Sequence, residues 1–370
     1  MKILLLSCST GGGHNSCARY IEQELKDNNI ECEFKDFYDI VNEKAKNLSE
    51  KIYLKSLGNE GKIFKSIYKM GELYSKTGIK SPVYLVNKLH KKKLSNYIKD
   101  NNIDLVITTH LFPALTITAI NKDKDYDNIH FLFVATDYEP CPFMEEAKPD
   151  YFITNSELID KFNKKKISTD NLLTTGIPVS TKFIKSAKNI RKDLNINNEN
   201  VILIMLGSMG FGSIDTVIHE LLTEKNTKVI VVCGTNKELY KRLKEINNDN
   251  LIVLAFVNNI NDLIYSSDII LSKPGGLSST EIATMRKPLL HIFPIPGIET
   301  YNTKFFNKRN MNMICNNKEE IITNCKYLLS NKDKQKEIIS NQEKYINKNS
   351  ALDLVTFIKN TYQKIYKTQL

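Results

Sequence analysis

The chain has 370 residues and a mass of 42.4 kDa, more than twice a usual single-domain length, so two domains are expected. Hydrophobic residues make up 41% and charged residues 25%, with a mean hydropathy of -0.31, which excludes disordered, collagen-like and multi-span membrane chains. Lysine and arginine number 52 against 42 acidic residues, a net charge of +10 that invites an anionic partner, nucleic acid or membrane.

The first segment, Ile3 to Ser7, reads as a buried strand. Its apolar run is shorter than the roughly 7 to 15 residues of a signal-peptide core. No run approaches the roughly 18 apolar residues of a membrane span, so neither a signal peptide nor a transmembrane helix is expected. Seven cysteines, odd in number and without a Cys-x-x-Cys pair, point away from disulfides and zinc and toward the cytoplasm. Further strands are expected at Glu33 to Asp36, Leu105 to Thr109, Phe131 to Val134, Tyr151 to Thr154 and Leu172 to Thr174. After a linker near Lys185 to Asn200 the pattern restarts at Val201 to Leu206, Val229 to Cys233, Leu251 to Ala255, Ile269 to Ser272, Leu289 to Phe293 and Met313 to Cys315. Short strands alternating with amphipathic stretches predict two α/β domains, residues 1–190 and 191–350, with a helix in 351–370 packing back across them.

Residues 42–99 interrupt the first domain with fourteen lysines, no arginine and four glutamates, which accounts for the whole net charge. Ile63, Ile67, Met70 and Tyr74 fall on one helical face, flanked by Phe64 and Tyr68, and Val83, Val86 and Leu89 continue after Pro82. Lys62, Lys65, Lys69, Lys91, Lys92 and Lys93 would then border a membrane-facing surface, each lysine contributing about 1 kcal/mol near an anionic leaflet. The alternative is a solvated lysine face whose apolar stripe packs on the core. Without arginines or a nucleic-acid-binding motif, no nucleic-acid partner is expected.

Three glycine turns follow strands and precede helices: Ser9-Thr10-Gly11-Gly12-Gly13-His14, Gly207-Ser208-Met209-Gly210-Phe211-Gly212, and Lys273-Pro274-Gly275-Gly276 running into Thr280-Glu281. Backbone N–H groups at such helix starts suit phosphate, although neither the dinucleotide fingerprint nor a P-loop is present. Glu281 is spaced to accept hydrogen bonds from a ribose diol, and Pro296-Gly297-Ile298-Glu299 with Asn302 is a rigid turn equipped for sugar hydroxyls. Each of these side chains also has an ordinary structural reading, as a surface glutamate or a capping group.

The first and third glycine turns and the Pro296 to Asn302 turn, with Val134-Ala135-Thr136-Asp137 and Thr175-Gly176-Ile177-Pro178-Val179, resemble over nearly the full chain the diacylglycerol glycosyltransferases, the monogalactosyldiacylglycerol synthase and processive diacylglycerol glucosyltransferase group. The resemblance implies an α/β GT-B fold, two Rossmann-like doubly wound domains facing across a cleft. It implies an inverting transfer from UDP-hexose, UDP-glucose or UDP-galactose, to diacylglycerol, with no obligatory cofactor or metal. His14 would be the general base, with Asp137 orienting it or the acceptor. Gly12, Gly13, Gly210, Lys273, Pro274, Gly275 and Gly276 would line the donor diphosphate, and Phe256 and Val257 the uracil. Glu281 would hold the ribose, and Glu299 and Asn302 the hexose. Ile298 stands where the family usually has glutamine, which leaves glucose and galactose both open. The basic segment would hold the enzyme as a peripheral protein on the cytoplasmic face of the membrane. An N-acetylglucosaminyltransferase acting on a lipid-linked cell-wall precursor, a UDP-sugar epimerase and a non-catalytic UDP-sugar sensor are the rivals.

Overall fold

The computed structural model describes residues 1–9, 12–42, 62–206 and 214–367. Contacts divide the chain into two units, Met1–Thr181 with Pro296–Ile298 and Asn349–Leu370, and Lys182–Ile295 with Glu299–Lys348.

The first unit is built on six parallel strands, β1 (Lys2–Ser7), β2 (Glu31–Asp36), β3 (Leu105–Thr108), β4 (Phe131–Val134), β5 (Tyr151–Ile153) and β6 (Leu172–Leu173), in the order β2-β1-β3-β4-β5-β6. The second holds β7 (Asn200–Met205), β8 (Thr227–Val232), β9 (Leu251–Leu254), β10 (Ile269–Ser272), β11 (Leu289–Ile292) and β12 (Met313–Cys315), also parallel, in the order β12-β11-β10-β7-β8-β9. Every strand expected from the sequence forms within two residues of its expected bounds. Ile3 to Leu6 and Val201 to Ile204 are fully buried, as befits parallel strands covered on both faces. Both orders are doubly wound and reverse direction once, between β1 and β3 and between β7 and β10. Ligands in such sheets bind outside the carboxyl ends of the strands at that reversal.

The helices that bear on these edges are α1 (Gly12–Asp27), α2 (Lys62–Ser75), α3 (Pro82–Lys88), α4 (Lys91–Asp100), α5 (Leu111–Asn121), α6 (Gly276–Thr284), α7 (Ile298–Lys308) and α8 (Ser350–Lys367). In the first unit, buried Glu24 of α1 accepts from the Thr181 amide and from the Ser180 and Thr181 hydroxyls. Tyr362 of α8 donates to Asp150 at 2.9 Å. The stretch expected as a linker is hydrogen-bonded into the second unit, where the Arg191 guanidinium meets the Ser266 carbonyl and the Asp268 carboxylate.

Helix α2 turns most of its expected apolar face outward, with Leu73 in place of Tyr74. Phe64 and Tyr68 are partly buried, and Gly71 brings the helix against the turn after β4, where a Cβ on residue 71 would stand 3.1 Å from the Pro142 Cβ. Ser75 Oγ accepts the Phe143 amide at 3.0 Å, and the Tyr74 ring meets Phe143 edge-on. The outward stripe is therefore Ile63, Ile67, Met70 and Leu73, with Met70 69% exposed. Tyr74, Phe64 and Tyr68 do not belong to it. From α3 onward Leu85, Val86 and Leu89 are also exposed, so the apolar stripe does not pack on the core. Lys65, Lys69 and Lys92 are exposed beside it, while Lys91 pairs with Asp123 and Lys93 donates to the Val41 carbonyl at 2.7 Å. Those two lysines are engaged within the protein because their partners, distant in sequence, lie against α4. The Lys62 side chain falls outside the described residues, as do the lysines of 43–61. No described helix is long and apolar enough to cross a membrane.

Candidate active site

In the first unit, His14 lies in the first turn of α1, past the carboxyl end of β1. Its Nδ1 is 2.8 Å from the carbonyl oxygen of Thr109, just after β3, and 2.9 Å from Thr136 Oγ1, just after β4. A carbonyl can only accept, so Nδ1 carries the proton and Nε2 is left with its lone pair. Thr109 Oγ1 donates back to the His14 carbonyl at 3.0 Å, which clamps the helix start to β3. Burial pushes the imidazole below its ordinary 6.5, opposed by the charge of Asp137 and by the Thr109 hydrogen bond. A neutral imidazole with one fixed tautomer and a basic nitrogen is equipped to take a proton at neutral pH.

His110 stands edge-on to His14 with ring centroids 4.9 Å apart, and its Nδ1 accepts the Phe112 amide at the start of α5. Burial, then the neighbouring His14, holds its pKa well below the usual value. Ser9, past the end of β1, is held by Asp36, the last residue of β2, whose carboxylate accepts the Ser9 hydroxyl at 2.6 Å and the Ser9 amide at 2.9 Å. Gly12 and Gly13 are exposed at the helix start, and Gly12 has open space where a side chain would be.

In the second unit, Lys273 and Pro274 leave the end of β10, and α6 begins at Gly276 with Gly275 as an N-cap that has no side chain. The Lys273 amide reaches back to the Met205 carbonyl at the end of β7, so this turn lies at the strand-order reversal. Asn302 of α7 is fully buried and donates to the Pro274 carbonyl at 2.9 Å, joining the two turns. Glu299, in the first turn of α7, accepts the Ile295 amide at 2.7 Å. Its charge acts on Lys273, which is 7% exposed and which burial pushes down to about 8. Glu281 is buried on α6. Phe256 is largely exposed just past β9, with Val257 partly covered beside it. Gly210 and its turn lie outside the described residues.

Behind α6, Ser279 Oγ meets His291 Nε2 at 2.9 Å and Asn312 Nδ2 meets His291 Nδ1 at 2.8 Å. Complete burial takes His291 down to about 3, so it stays neutral in the fold. Between about pH 3 and 6.5 the unfolded chain therefore binds one more proton there than the folded one, and the stability is lost as pH falls below 6.5. The loss approaches about 1.4 kcal/mol per pH unit. Urea unfolding at pH 7 and pH 5 should show it, and His291→Gln should flatten this part of the pH dependence. An equal pH dependence in the variant would contradict the assignment.

Among the residues the sequence reading assigned no role, Thr109, Thr136, His110 and Asp36 contribute most to this geometry. The available signal was their position, each at or just beyond the carboxyl end of a strand.

Residues 14–179 match the family described as monogalactosyldiacylglycerol (MGDG) synthase, and residues 201–356 match the C-terminal domain of glycosyltransferase family 28. The two matches together span most of the chain. The first half thus matches a diacylglycerol glycosyltransferase family and the second a glycosyltransferase domain, and the chain is a glycosyltransferase. Relatives of this glycosyltransferase include the processive diacylglycerol beta-glucosyltransferase of Bacillus pumilus, 27% identical over 363 residues that cover 95% of this chain and 92% of that one. The protein of the same name from Staphylococcus aureus strain JH9 is 28% identical, with 98% and 94% covered. Among solved structures, MurG of Acinetobacter baumannii aligns with a TM-score of 0.63 at 15% identity, covering 98% of this chain and 100% of its own. The UDP-GlcNAc 2-epimerase of Neisseria meningitidis bound to UDP-GlcNAc aligns with a TM-score of 0.64 at 14% identity and the same coverage. At these identities the structural likeness speaks to the fold, and the glycosyltransferase is GT-B. Among its described residues, no group of three or more His, Cys, Asp or Glu side chains could hold a metal ion.

Proposed function

We propose that this glycosyltransferase moves a hexose, glucose in the first instance, from UDP-hexose to diacylglycerol, making a β-glycolipid and releasing UDP. The observation that carries the reading is the tautomer-locked His14 at the β1/β3 edge of a chain whose first half matches the MGDG synthase family and whose second half matches the family 28 C-terminal domain. Glucose is favoured because the relatives that match over nearly the full length carry that sugar in their names.

In the reaction, His14 Nε2 takes the proton of the acceptor hydroxyl as its oxygen bonds to the anomeric carbon. The bond from that carbon to the diphosphate breaks on the opposite face, and UDP leaves with the electron pair. Asp137 supports the imidazolium that forms, consistent with the upward push its charge already exerts on His14. The N–H groups at the start of α6, from Gly276 onward, stabilise charge gathering on the diphosphate, while the Gly275 amide donates to the Lys273 carbonyl at 2.9 Å. Glu281 receives the ribose, Phe256 and Val257 border the uracil, and Glu299 receives the hexose. Asn302, buried and bonded to Pro274, acts by holding the two turns together.

Diacylglycerol stays in the bilayer, so the enzyme must work at its surface. The outward stripe of α2 and α3, with Lys65, Lys69 and Lys92 beside it, fits an anionic leaflet, and the cytoplasmic face is where UDP-sugar is supplied. Purified protein incubated with diacylglycerol vesicles and radiolabelled UDP-glucose, UDP-galactose or UDP-N-acetylglucosamine tests the reading. Label entering a glycosyl-diacylglycerol, from UDP-glucose above the others, is expected. Label appearing only with UDP-N-acetylglucosamine and a lipid-linked cell-wall precursor, or in no lipid, would overturn it.

A further inference from the structure

Two consecutive residues past the end of β3 grip His14. The Thr109 carbonyl accepts from Nδ1, and the His110 ring stands at right angles to the imidazole with centroids 4.9 Å apart. The contacts of Thr109 and Thr136 both meet the imidazole at Nδ1, so they fix that corner more firmly than the opposite nitrogen. A second ring packed edge-on restrains the rest of the imidazole.

His110 is itself held from several sides. Buried Thr108 donates its hydroxyl to the His110 carbonyl at 2.8 Å and accepts the His110 amide at 3.2 Å. The side chain is the N-cap of α5, where its Nδ1 accepts the Phe112 amide at 3.2 Å. The Phe112 ring meets it edge-on at 4.5 Å, and Tyr38, just after β2, backs Phe112 at 6.3 Å. An N-cap needs only a short side chain with an accepting oxygen, as in Asn, Asp, Ser or Thr. Histidine brings more than the cap requires. The surplus is its ring, and the ring is what meets His14.

We propose that His110 is a positioning residue for the general base: its ring holds the His14 imidazole with Nε2 presented to the acceptor hydroxyl and keeps water from it, while its Nδ1 separately caps α5. The inference rests on the proposed role of His14 and adds the group that orients it. Among the described residues, the titratable groups that act on or meet His14 are Asp137, past β4, and His110 itself; Thr109 and Thr136 are neutral. Burial and the nearby His14 keep His110 uncharged, so it adds no positive charge to oppose the imidazolium that forms beside it.

The two roles separate by substitution in the full-length protein, with rates measured on diacylglycerol vesicles and UDP-glucose across pH and stability measured by thermal unfolding. His110→Asn keeps an accepting oxygen for the cap and deletes the ring. Its kcat should fall by about 10- to 100-fold, as expected for a misplaced catalytic group, with KM for UDP-glucose and the unfolding midpoint little changed. The acid limb of its rate profile should also move up toward the ordinary imidazole value of 6.5, because water reaches His14. His110→Phe keeps a ring and loses the cap, so it should lower the unfolding midpoint while kcat and the acid limb stay near those of the wild type. Wild-type kcat and acid limb in His110→Asn would overturn the proposal. So would equal losses of kcat in both variants, which would mark the cap rather than the ring as what matters. Turnover unaffected by His14→Ala would instead overturn the functional reading beneath it.

Discussion

Replacing His14 with alanine is expected to lower kcat by about 10²- to 10⁴-fold, the usual contribution of a positioned general base, while UDP affinity changes little. The structural basis is one hydrogen bond. The Thr109 carbonyl accepts a hydrogen bond from Nδ1–H, which keeps the proton there and leaves the opposite nitrogen as the base. Because burial outweighs Asp137 and lowers the imidazole pKa, His14 is already neutral at pH 7. Activity should hold as pH falls to 6.5 and decline only in more acidic solution, where Nε2 becomes protonated. Asp137→Asn removes a group that raises the His14 pKa, so its acid limb should move to still lower pH, with a lower plateau because the base is weaker. Steady-state rates across pH for wild type and both variants give these quantities. An alanine variant with unchanged kcat would remove His14 from the chemistry.

The second large effect is on membrane attachment. Ile67→Glu combined with Met70→Glu places two charges in the outward stripe of α2, and each buried apolar side chain of this size is worth about 1.5–3 kcal/mol. Partition onto anionic vesicles should fall by about 100-fold or more. Lys65→Ala with Lys69→Ala should cost less, about 1 kcal/mol for each charge, and the difference from wild type should fade as salt screens the leaflet. Sedimentation with vesicles of varied anionic content and salt separates the two contributions. Unimpaired binding of the glutamate variant would show that this stripe is not the docking surface. Wild-type binding that vanishes at high salt would assign the attachment to lysines alone.

Much of this protein is legible in its sequence because parallel strands covered on both faces must be apolar throughout. Ile3 to Leu6, Val201 to Ile204 and Ile269 to Ser272 announce themselves in that way. β2 is harder to bound, since as an edge strand it carries an exposed Glu31 and only partly buried Cys32 and Glu33. Which side of α2 turns inward is not legible at all. Phe64 with Tyr68 and Ile63 with Ile67 are both apolar pairs at helical spacing, and the choice between them is made by Pro142, whose contact with Gly71 arises only on folding. The same holds for the partners of His14. The histidine and its glycines stand out locally, but Thr109 and Thr136 become its neighbours through the order β1-β3-β4, which no local pattern encodes. Asn302 could be read as a polar residue near a sugar site, and only its burial and its bond to Pro274 reveal that it holds the turns.

The most direct test of the central claim is the structure of the lipid product formed from UDP-glucose and diacylglycerol, determined by proton NMR of the purified glycolipid. A single displacement assisted by His14 predicts a β-anomeric linkage to the free glycerol hydroxyl of diacylglycerol. An α-linked sugar, or a sugar attached anywhere other than that hydroxyl, would contradict it.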